Sequence, residues 1–316
     1  MNRGAGVRKG ARPFLLLLLA LPLRAAPLWE DPQWLRLLHV KEGHSAALPG
    51  AFFLTPDGPS DPKGELAALT AALEEAGVEP ARCRFPARTA WLAGRLGRDP
   101  QALLTPCAKF AAWRDLLAAD GVALVFASAY MNNPSSMFGH TFLRLERRGP
   151  DRLLDNSLNF AAETAETSGV AFAYKGLTGL YPGKYTAMPY YMKVQEYGGI
   201  ENRDLWEYRL DLSSAEVANL AAHAWELGQA EFRYYFLSKN CSYQLMPALE
   251  AAAPRLTLFG TPPIVAPLDT VLAVAQTPRL VKETVYRPSH APTLRQRRAL
   301  LARDERRAAW AYAAGR

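Results

Sequence analysis

The chain has 316 residues, of which 49% are hydrophobic and 21% charged, and its formal net charge is +7. This length and apolar content suffice for a sizeable core, with one main domain and a smaller one. Because the positive charge is concentrated at the two ends of the chain, it does not indicate a nucleic-acid partner for the body of the protein.

The first 25 residues are predicted to be a secretory signal peptide. A basic start precedes an apolar run at 14–23, which is too short to span a bilayer. Ala25 and Ala26 offer small residues for cleavage, although Arg24 intrudes, so an uncleaved inner-membrane anchor is the alternative. No later segment approaches 18 consecutive apolar residues, and we therefore expect a soluble or peripheral periplasmic protein.

Residues 26–120 are predicted to form a mainly helical N-terminal portion. Apolar residues recur there at helical spacing, and the Ala51–Gly58 segment is expected to be a strand or extended, ending in a turn. No function is predicted for this portion. The expected helices lie at 29–38, 62–76, 86–96 and 109–119.

The three cysteines are informative because an exported protein meets an oxidising compartment. Cys83 and Cys107 both lie in the N-terminal third of the chain, and they are the natural disulfide pair. Cys241 is then the odd thiol. A buried, inert cysteine is one explanation for it, and a reactive thiol is the other.

Residues 121–290 are predicted to form an α+β domain, because the hydrophobic period changes to that of strands at Gly121. We expect an antiparallel sheet flanked by a helix that begins at Cys241. The stretch at 169–199 is rich in glycine and tyrosine and includes Tyr185, a candidate for the substrate pocket. It is expected to be either a lid that faces a ligand or a set of packed loops.

Cys241 follows Asn240 at the predicted start of a helix. A thiol in the first turn faces unpaired N–H groups and the positive end of the helix dipole, and both favour the thiolate. His140 begins an alternating strand about 100 residues earlier. The two residues suggest a nucleophile and its base, although a lone histidine in a strand is more often a structural group.

A third residue usually orients the imidazole of such a pair. The next predicted strand offers Asp155, Asn156 and Asn159, and the sequence does not choose between them. In the loop that precedes His140, Asn133 and Ser136 are candidates to position the base or an oxyanion, with a self-bonded turn as the alternative.

Other chemistries lack their motifs. There is no HExxH, CxxC or close His/Asp cluster, so no metal ligands are predicted. A GxSxG nucleophile elbow and a phosphate-binding loop are also absent, and no cofactor is expected.

Three segments carry a family resemblance: 127–144, 202–208 and 239–243. They resemble the bacterial family named for the N-terminal periplasmic domain of the lipoprotein N-acyltransferase Lnb. The order of His140 before Cys241 is also similar to circularly permuted papain-like enzymes of the NlpC/P60 and lecithin–retinol acyltransferase type. The resemblance implies that Cys241 takes an acyl chain from a phospholipid as a thioester and passes it to an amine, with His140 as base.

Three functions follow as expectations. The first is a periplasmic Cys/His acyl-transfer enzyme that acts on phospholipid or lipoprotein acyl groups. The second is a cell-wall amidase or peptidase, which would have a polar pocket instead of an apolar one. The third is a non-catalytic envelope binding module, in which Cys241 would be buried with no histidine in reach.

Residues 291–316 are predicted to form a basic C-terminal helix. This region contains seven arginines and only two acidic residues, Asp304 and Glu305. Trp310 suits the headgroup zone of a membrane. Reversible contact with an anionic membrane is one expectation for this tail. A solvated helix that packs on the body is the other.

Overall fold

The computed structural model describes residues 26–75, 77, 80–131, 137–258, 260 and 262–315. The predicted signal peptide, as well as Asn133 and Ser136, lies outside these residues. The described chain has the predicted α+β class, with helices on an antiparallel sheet. Among the described residues, no helix is both long enough and apolar enough to cross a bilayer.

The N-terminal portion is mainly helical, with one small ribbon formed by strands β1 (Val40–Lys41) and β2 (His44–Ser45). The Ala51–Gly58 segment forms consecutive turns instead of the expected strand. The reason is that the buried Glu65 carboxylate accepts the N–H groups of Leu54 and Thr55, which a neighbouring strand would otherwise bond. The helices are α1 (Pro32–Leu37), α2 (Pro62–Ala71), α3 (Ala81–Arg84), α4 (Pro86–Arg95), α5 (Pro100–Leu104) and α6 (Ala108–Leu117).

The predicted disulfide between Cys83 and Cys107 is confirmed. Their Cα atoms lie 5.1 Å apart, and the bond joins α3 to the residue that precedes α6. Closing a loop with a sequence separation of 24 stabilises the fold by roughly 3 kcal/mol in the chain-entropy account. Cys241 is a free, buried thiol.

A seven-stranded antiparallel sheet forms the centre of the described residues, in the order β8-β6-β5-β4-β3-β7-β9. The expected strands at 122–127 and 139–146 correspond to its central pair. An edge strand that was not expected closes the sheet after a proline-rich connection. The strands are β3 (Ala119–Ala127), β4 (His140–Arg147), β5 (Asn156–Ala162), β6 (Tyr181–Pro189), β7 (Leu205–Leu210), β8 (Glu231–Tyr234) and β9 (Val281–Arg287).

Helices cover both faces of this sheet. Helix α9 (Ser214–Leu227) and helix α10 (Cys241–Ala252) pack on one face, where the main apolar core lies. Helix α8 (Tyr190–Val194) and the π-helical turn Gln195–Ile200 pack on the other. His140 and Phe142 belong to this second face, because alternate residues of a strand point the same way.

The glycine- and tyrosine-rich stretch forms regular secondary structure and not the set of packed loops that was one expectation. It folds as α7 (Gly169–Thr178), then β6, α8 and the π-helical turn. Gly176 makes this possible, since a Cβ at that position would lie only 2.2 Å from the ring of Phe236. Gly179 ends α7 in the left-handed region, with φ 73°.

A buried ionic cluster joins the N-terminal portion to α9. The imidazoles of His39 and His223 meet at 3.0 Å between their Nε2 atoms, and His223 Nδ1 lies 3.3 Å from Glu226. Glu226 also accepts the backbone N–H groups of Ala87 and Arg88. We use the name buried ionic cluster for five side chains that are all at most 5% exposed: His39, Glu65, Arg88, His223 and Glu226.

Burial is the main cause of a lowered pKa at His39, where the neighbouring His223, Arg88 and Lys41 act in the same direction. The imidazole of His39 is therefore neutral in the folded protein near neutral pH. Its backbone adopts φ 54°, a conformation that is uncommon outside glycine. The cluster thus fixes a strained corner of the N-terminal portion against the sheet domain.

The C-terminal region forms helices where one basic helix was expected. Helix α12 (His290–Leu300) and helix α13 (Arg303–Ala313) follow β9, and neither contains a buried residue. Helix α11 (Pro267–Gln276) precedes β9. The Ala291 N–H donates to Asn202 Oδ1 at 3.0 Å, so α12 begins against the segment that follows the π-helical turn.

Candidate active site

Cys241 is the first residue of α10, and Asn240 is its N-cap. The Asn240 Oδ1 atom accepts the N–H groups of Ser242 and Tyr243, at 3.1 and 3.2 Å. Its Nδ2 group donates to two backbone carbonyls, one of them that of Val265. Asn240 therefore does not reach the imidazole, but it fixes the helix end that carries the thiol.

His140 meets this thiol from the start of β4. The two side chains are close enough that each shifts the pKa of the other. The β4–β5 pairing extends only as far as Leu143 and Leu158, so the two strands separate towards His140. Thr141 holds the helix beside this opening, because its hydroxyl donates to Ser242 Oγ at 3.0 Å.

Asn159 is the residue that orients the imidazole. Its Oδ1 atom lies 2.6 Å from His140 Nε2. An amide oxygen only accepts, so Nε2 carries the proton of this bond and Nδ1 is left to face the thiol. Both side chains are buried, which protects the arrangement from competition by water.

The thiol is acidic in spite of its burial. Burial, the largest influence, raises the pKa of Cys241, but the charge and the hydrogen bond of His140 lower it. The Thr141 N–H and the Ser242 hydroxyl add to the lowering, and the pKa falls from 9.0 to about 6. The structure therefore favours a thiolate at neutral pH.

His140 shifts in the complementary direction. Burial lowers its pKa, yet the charge of Cys241 and the hydrogen bonds from Cys241 and Asn159 raise it above the ordinary 6.5. The positive charge of Lys193 disfavours the protonated form of His140 and so lowers its pKa. A thiolate beside an imidazolium is the resting pair that these opposite shifts favour.

Two tyrosines complete the site. The Tyr234 hydroxyl accepts the Cys241 N–H at 3.4 Å, while Tyr197 packs against the His140 ring with centroids 6.0 Å apart. Neither was identified from the sequence. The alternation of β8, which buries Phe232 and Tyr234 together, was the available signal for Tyr234.

Other residues predicted for the site lie elsewhere. Asp155 accepts the Arg147 N–H and pairs with the buried Arg144 at 3.4 Å. Asn156 pairs with Leu145 in the sheet and points to the opposite face of β5 from Asn159. In the described part of the chain, the residue of β5 that bonds the His140 ring is Asn159, not Asp155 or Asn156.

Tyr185 is a core residue and not a wall of the Cys241 site. Its hydroxyl donates to the Gln244 carbonyl at 2.6 Å, and its ring packs on Phe160. It also lines a cavity of about 800 Å³ between α9, the sheet and the disulfide region. Neither Cys241 nor His140 lines that cavity. The role of Tyr185 is therefore to hold α10 through its hydrogen bond to the Gln244 carbonyl.

Comparison with known proteins identifies two families. A family model described as the Lnb N-terminal periplasmic domain matches residues 109–277, which is more than half of the chain. A second model, described as a domain of unknown function (DUF7843), matches residues 26–95. No curated protein and no solved structure matches. The first match includes His140, Asn159 and Cys241.

Proposed function

Because the chain belongs to the Lnb N-terminal periplasmic domain family, we propose that it is a periplasmic thiol enzyme that transfers acyl groups through a Cys241 thioester. The observation that carries this proposal is the buried contact between Cys241 and His140, with a thiol pKa of about 6. A non-catalytic binding module gives no reason to hold an acidic thiol against an oriented imidazole.

In the first half-reaction, the Cys241 thiolate attacks the carbonyl carbon of an acyl ester. A carbon–sulfur bond forms, and the negative charge moves to the carbonyl oxygen. When this intermediate collapses, the ester carbon–oxygen bond breaks and the alkoxide takes the proton of the His140 imidazolium. The products are a Cys241 thioester, a free alcohol and a neutral His140.

In the second half-reaction, His140 removes a proton from an amine or a water molecule as that molecule attacks the thioester. The carbon–sulfur bond breaks, and Cys241 leaves as a thiolate beside an imidazolium. The resting pair is restored. An amine acceptor gives acyl transfer and water gives hydrolysis, so the choice between them depends on which acceptor reaches His140.

The Tyr234 hydroxyl is placed to help both half-reactions. It lies 3.4 Å from the Cys241 nitrogen, at the helix end where an oxyanion would collect. Burial, its largest influence, keeps the pKa of Tyr234 well above 10.0, so the hydroxyl stays protonated and can donate.

An acyl group suits the surroundings better than a cell-wall peptide. Met137 and Phe138, just before His140, and Leu237, just before Cys241, are exposed apolar side chains. Lys193, the basic side chain that influences His140, is already paired with Glu196 at 2.8 Å. It is therefore not available as a simple site for a peptide carboxylate.

The thioester provides the test. We expect the protein, incubated with a detergent-dispersed phospholipid, to gain the mass of one acyl chain on Cys241, and neutral hydroxylamine to remove it. The Cys241→Ala variant should gain nothing. The Cys241→Ser variant should gain, at most, an ester that resists hydroxylamine.

Two outcomes would argue against acyl transfer. One is an unmodified thiol after incubation with every phospholipid, under conditions in which iodoacetamide still labels Cys241. The other is a mass gain only with peptidoglycan peptides, which would favour the amidase alternative. Adding a free amine to the acylated protein then separates transfer from hydrolysis.

A further inference from the structure

Exposed apolar side chains are distributed unevenly over the described residues. Of the 25 large apolar side chains that are exposed, only Leu96 and Leu116 belong to the N-terminal portion, whereas 12 lie at 131, 137–138, 170–180, 191–200 and at Leu237 and Ile264. We call these 12 side chains the apolar rim. An exposed apolar patch of this kind is typical of an interaction surface.

Three segments of the apolar rim are joined to residues near the Cys241–His140 pair. Gly176 of α7 accepts the Phe236 N–H at 2.9 Å, five residues before Cys241. The backbone near Ile264 joins the same place, because the Val265 N–H donates to the Leu237 carbonyl. The 191–200 segment reaches His140 through Tyr197.

Helix α7 shows what kind of surface this is. Val170, Tyr174 and Leu177 recur at helical spacing and are 83%, 62% and 55% exposed, while Gly176 on the other side is buried against Phe236. The helix therefore has apolar side chains on both sides: Phe172 packs on the core, while Val170, Tyr174 and Leu177 form a second apolar stripe that faces outwards. Soluble helices turn that stripe towards a core, and interfacial helices turn it towards lipid.

The charges near the apolar rim favour an anionic partner. Lys239 is exposed, and no carboxylate pairs with it in the described part of the chain. Helix α12 begins against Asn202, next to the π-helical turn, and carries three exposed arginines. An apolar stripe with tyrosine, flanked by basic side chains, is the pattern of a surface that binds anionic lipid headgroups and acyl chains together.

We propose that the apolar rim docks on an anionic phospholipid bilayer, with α7 lying in the headgroup region and the Cys241–His140 pair facing the membrane. This goes beyond the proposed chemistry, because it concerns where the protein binds and does not depend on whether Cys241 reacts. Docking on this face would present acyl esters to the thiol without removing a whole lipid from the bilayer.

The experiment measures binding to vesicles in a Cys241→Ala background, so that no reaction contributes. Vesicles of phosphatidylcholine with phosphatidylglycerol are compared with phosphatidylcholine alone. One variant carries Val170→Gln and Leu177→Gln, and its matched control carries Leu96→Gln and Leu116→Gln. All four changes replace an exposed apolar side chain with a neutral helix-forming one, so the charge is unchanged.

We expect the α7 variant to lose about tenfold or more of its partitioning to anionic vesicles. The control should bind like the parent, and circular dichroism should show both variants folded. Equal binding of the α7 variant and the control would overturn the proposal, as would a parent that binds no vesicles.

A third variant separates the tail from the rim. Replacing Arg297, Arg298 and Arg306 with glutamine should weaken binding to anionic vesicles and leave the contribution of α7 in place. If only this variant loses binding, the membrane site is the tail and the proposal is wrong. If the parent ignores vesicles but forms dimers that the α7 variant breaks, the apolar rim binds a second copy instead.

Discussion

The Cys241–His140 pair and the buried ionic cluster both hold histidines away from water, and burial lowers the pKa of His140 and His39 alike. The two histidines differ in the groups that neighbour them. His140 faces a thiol that can become negative, which raises its pKa. His39 faces His223 and the positive Arg88, which lower its pKa further. Partner charge, more than burial, decides whether an enclosed imidazole can carry a proton here.

The position of the two groups in the fold differs as well. The pair lies at the end of the sheet where β4 and β5 separate and the apolar rim begins. The buried ionic cluster is enclosed between α4, α9 and the turns around Phe52, and Arg88 fills it by donating to the Phe52 carbonyl at 2.8 Å. We infer that the first group performs chemistry and that the second holds the N-terminal portion in place.

The largest expected effect is on chemistry alone. Cys241→Ala should abolish thioester formation, a loss of at least about 10⁴-fold, because the variant lacks the sulfur that would form the thioester. The free energy of unfolding should change by less than about 2 kcal/mol. Single-turnover acylation and urea unfolding measure the two quantities. A variant that retains acylation would show that the thiol is structural.

The reverse effect is expected in the buried ionic cluster. Glu226→Gln should lower the free energy of unfolding by about 3–5 kcal/mol, because it removes one of the two carboxylates that pair with the buried Arg88 and leaves only Glu65. Glu163→Gln, which breaks an exposed pair with Lys184, is the matched control and should cost less than about 1 kcal/mol. Loss of acylation per folded molecule in Glu226→Gln would contradict the division of roles.

A smaller effect is expected for the residue that orients His140. Asn159→Ala should lower acylation by roughly ten- to hundredfold, since the imidazole loses its fixed orientation. Asn156→Ala, on the other face of the same strand, should have no such effect. Asn159→Asp should restore activity and move the alkaline limb of the pH profile upwards, because a negative charge would raise the pKa of His140 further.

The smallest expected effects concern pH, which should change acylation and stability in different ways. Acylation should rise as pH passes about 6, where the Cys241 thiolate forms, and fall when His140 loses its proton above its raised pKa. Stability should instead decrease as pH falls below 6.5, because unfolded His39 takes up a proton that its lowered pKa excludes in the fold.

His39→Asn is the control for the predicted decrease in the free energy of unfolding below pH 6.5. Asparagine tolerates the φ of 54° at this position and does not titrate there. The variant should unfold with a flatter dependence on pH below 6.5, while its acylation profile keeps its shape. If the acylation profile shifted as well, the two groups would be coupled and the comparison would fail.

The parts of the site that the sequence could indicate are local. Asn240 caps the helix that follows it, and the alternation after Gly139 is that of a strand, so the placement of Cys241 and His140 was accessible. The disulfide was accessible because Cys241 lies far along the chain from the other two cysteines.

The orienting residue was not accessible, because it depends on register. Asp155 carries a negative charge that would suit an imidazolium better than the neutral Asn159, yet Asp155 pairs with Arg144. Only the β4–β5 register shows that Asn159 shares a face with Phe142 and reaches His140 where the strands separate. A sequence without its pairing partners does not contain that information.

The buried ionic cluster was missed for a similar reason. His39 and His223 are 184 residues apart, and each lies in a segment that has no unusual pattern. The fold of the 169–199 stretch was also missed. Its glycines suggested loops, whereas Gly176 is there to admit the ring of Phe236 beside a regular helix.

The complete burial of helix α10 has a consequence for how the protein loses activity. Every one of its residues from Cys241 to Ala252 is buried, so Cys241 lies on the most enclosed helix of the described chain and not on a surface loop. The amides of such a helix exchange with deuterium only when the whole domain opens. Inactivation by heat and global unfolding should therefore be a single event, and residual activity would report directly on the folded fraction.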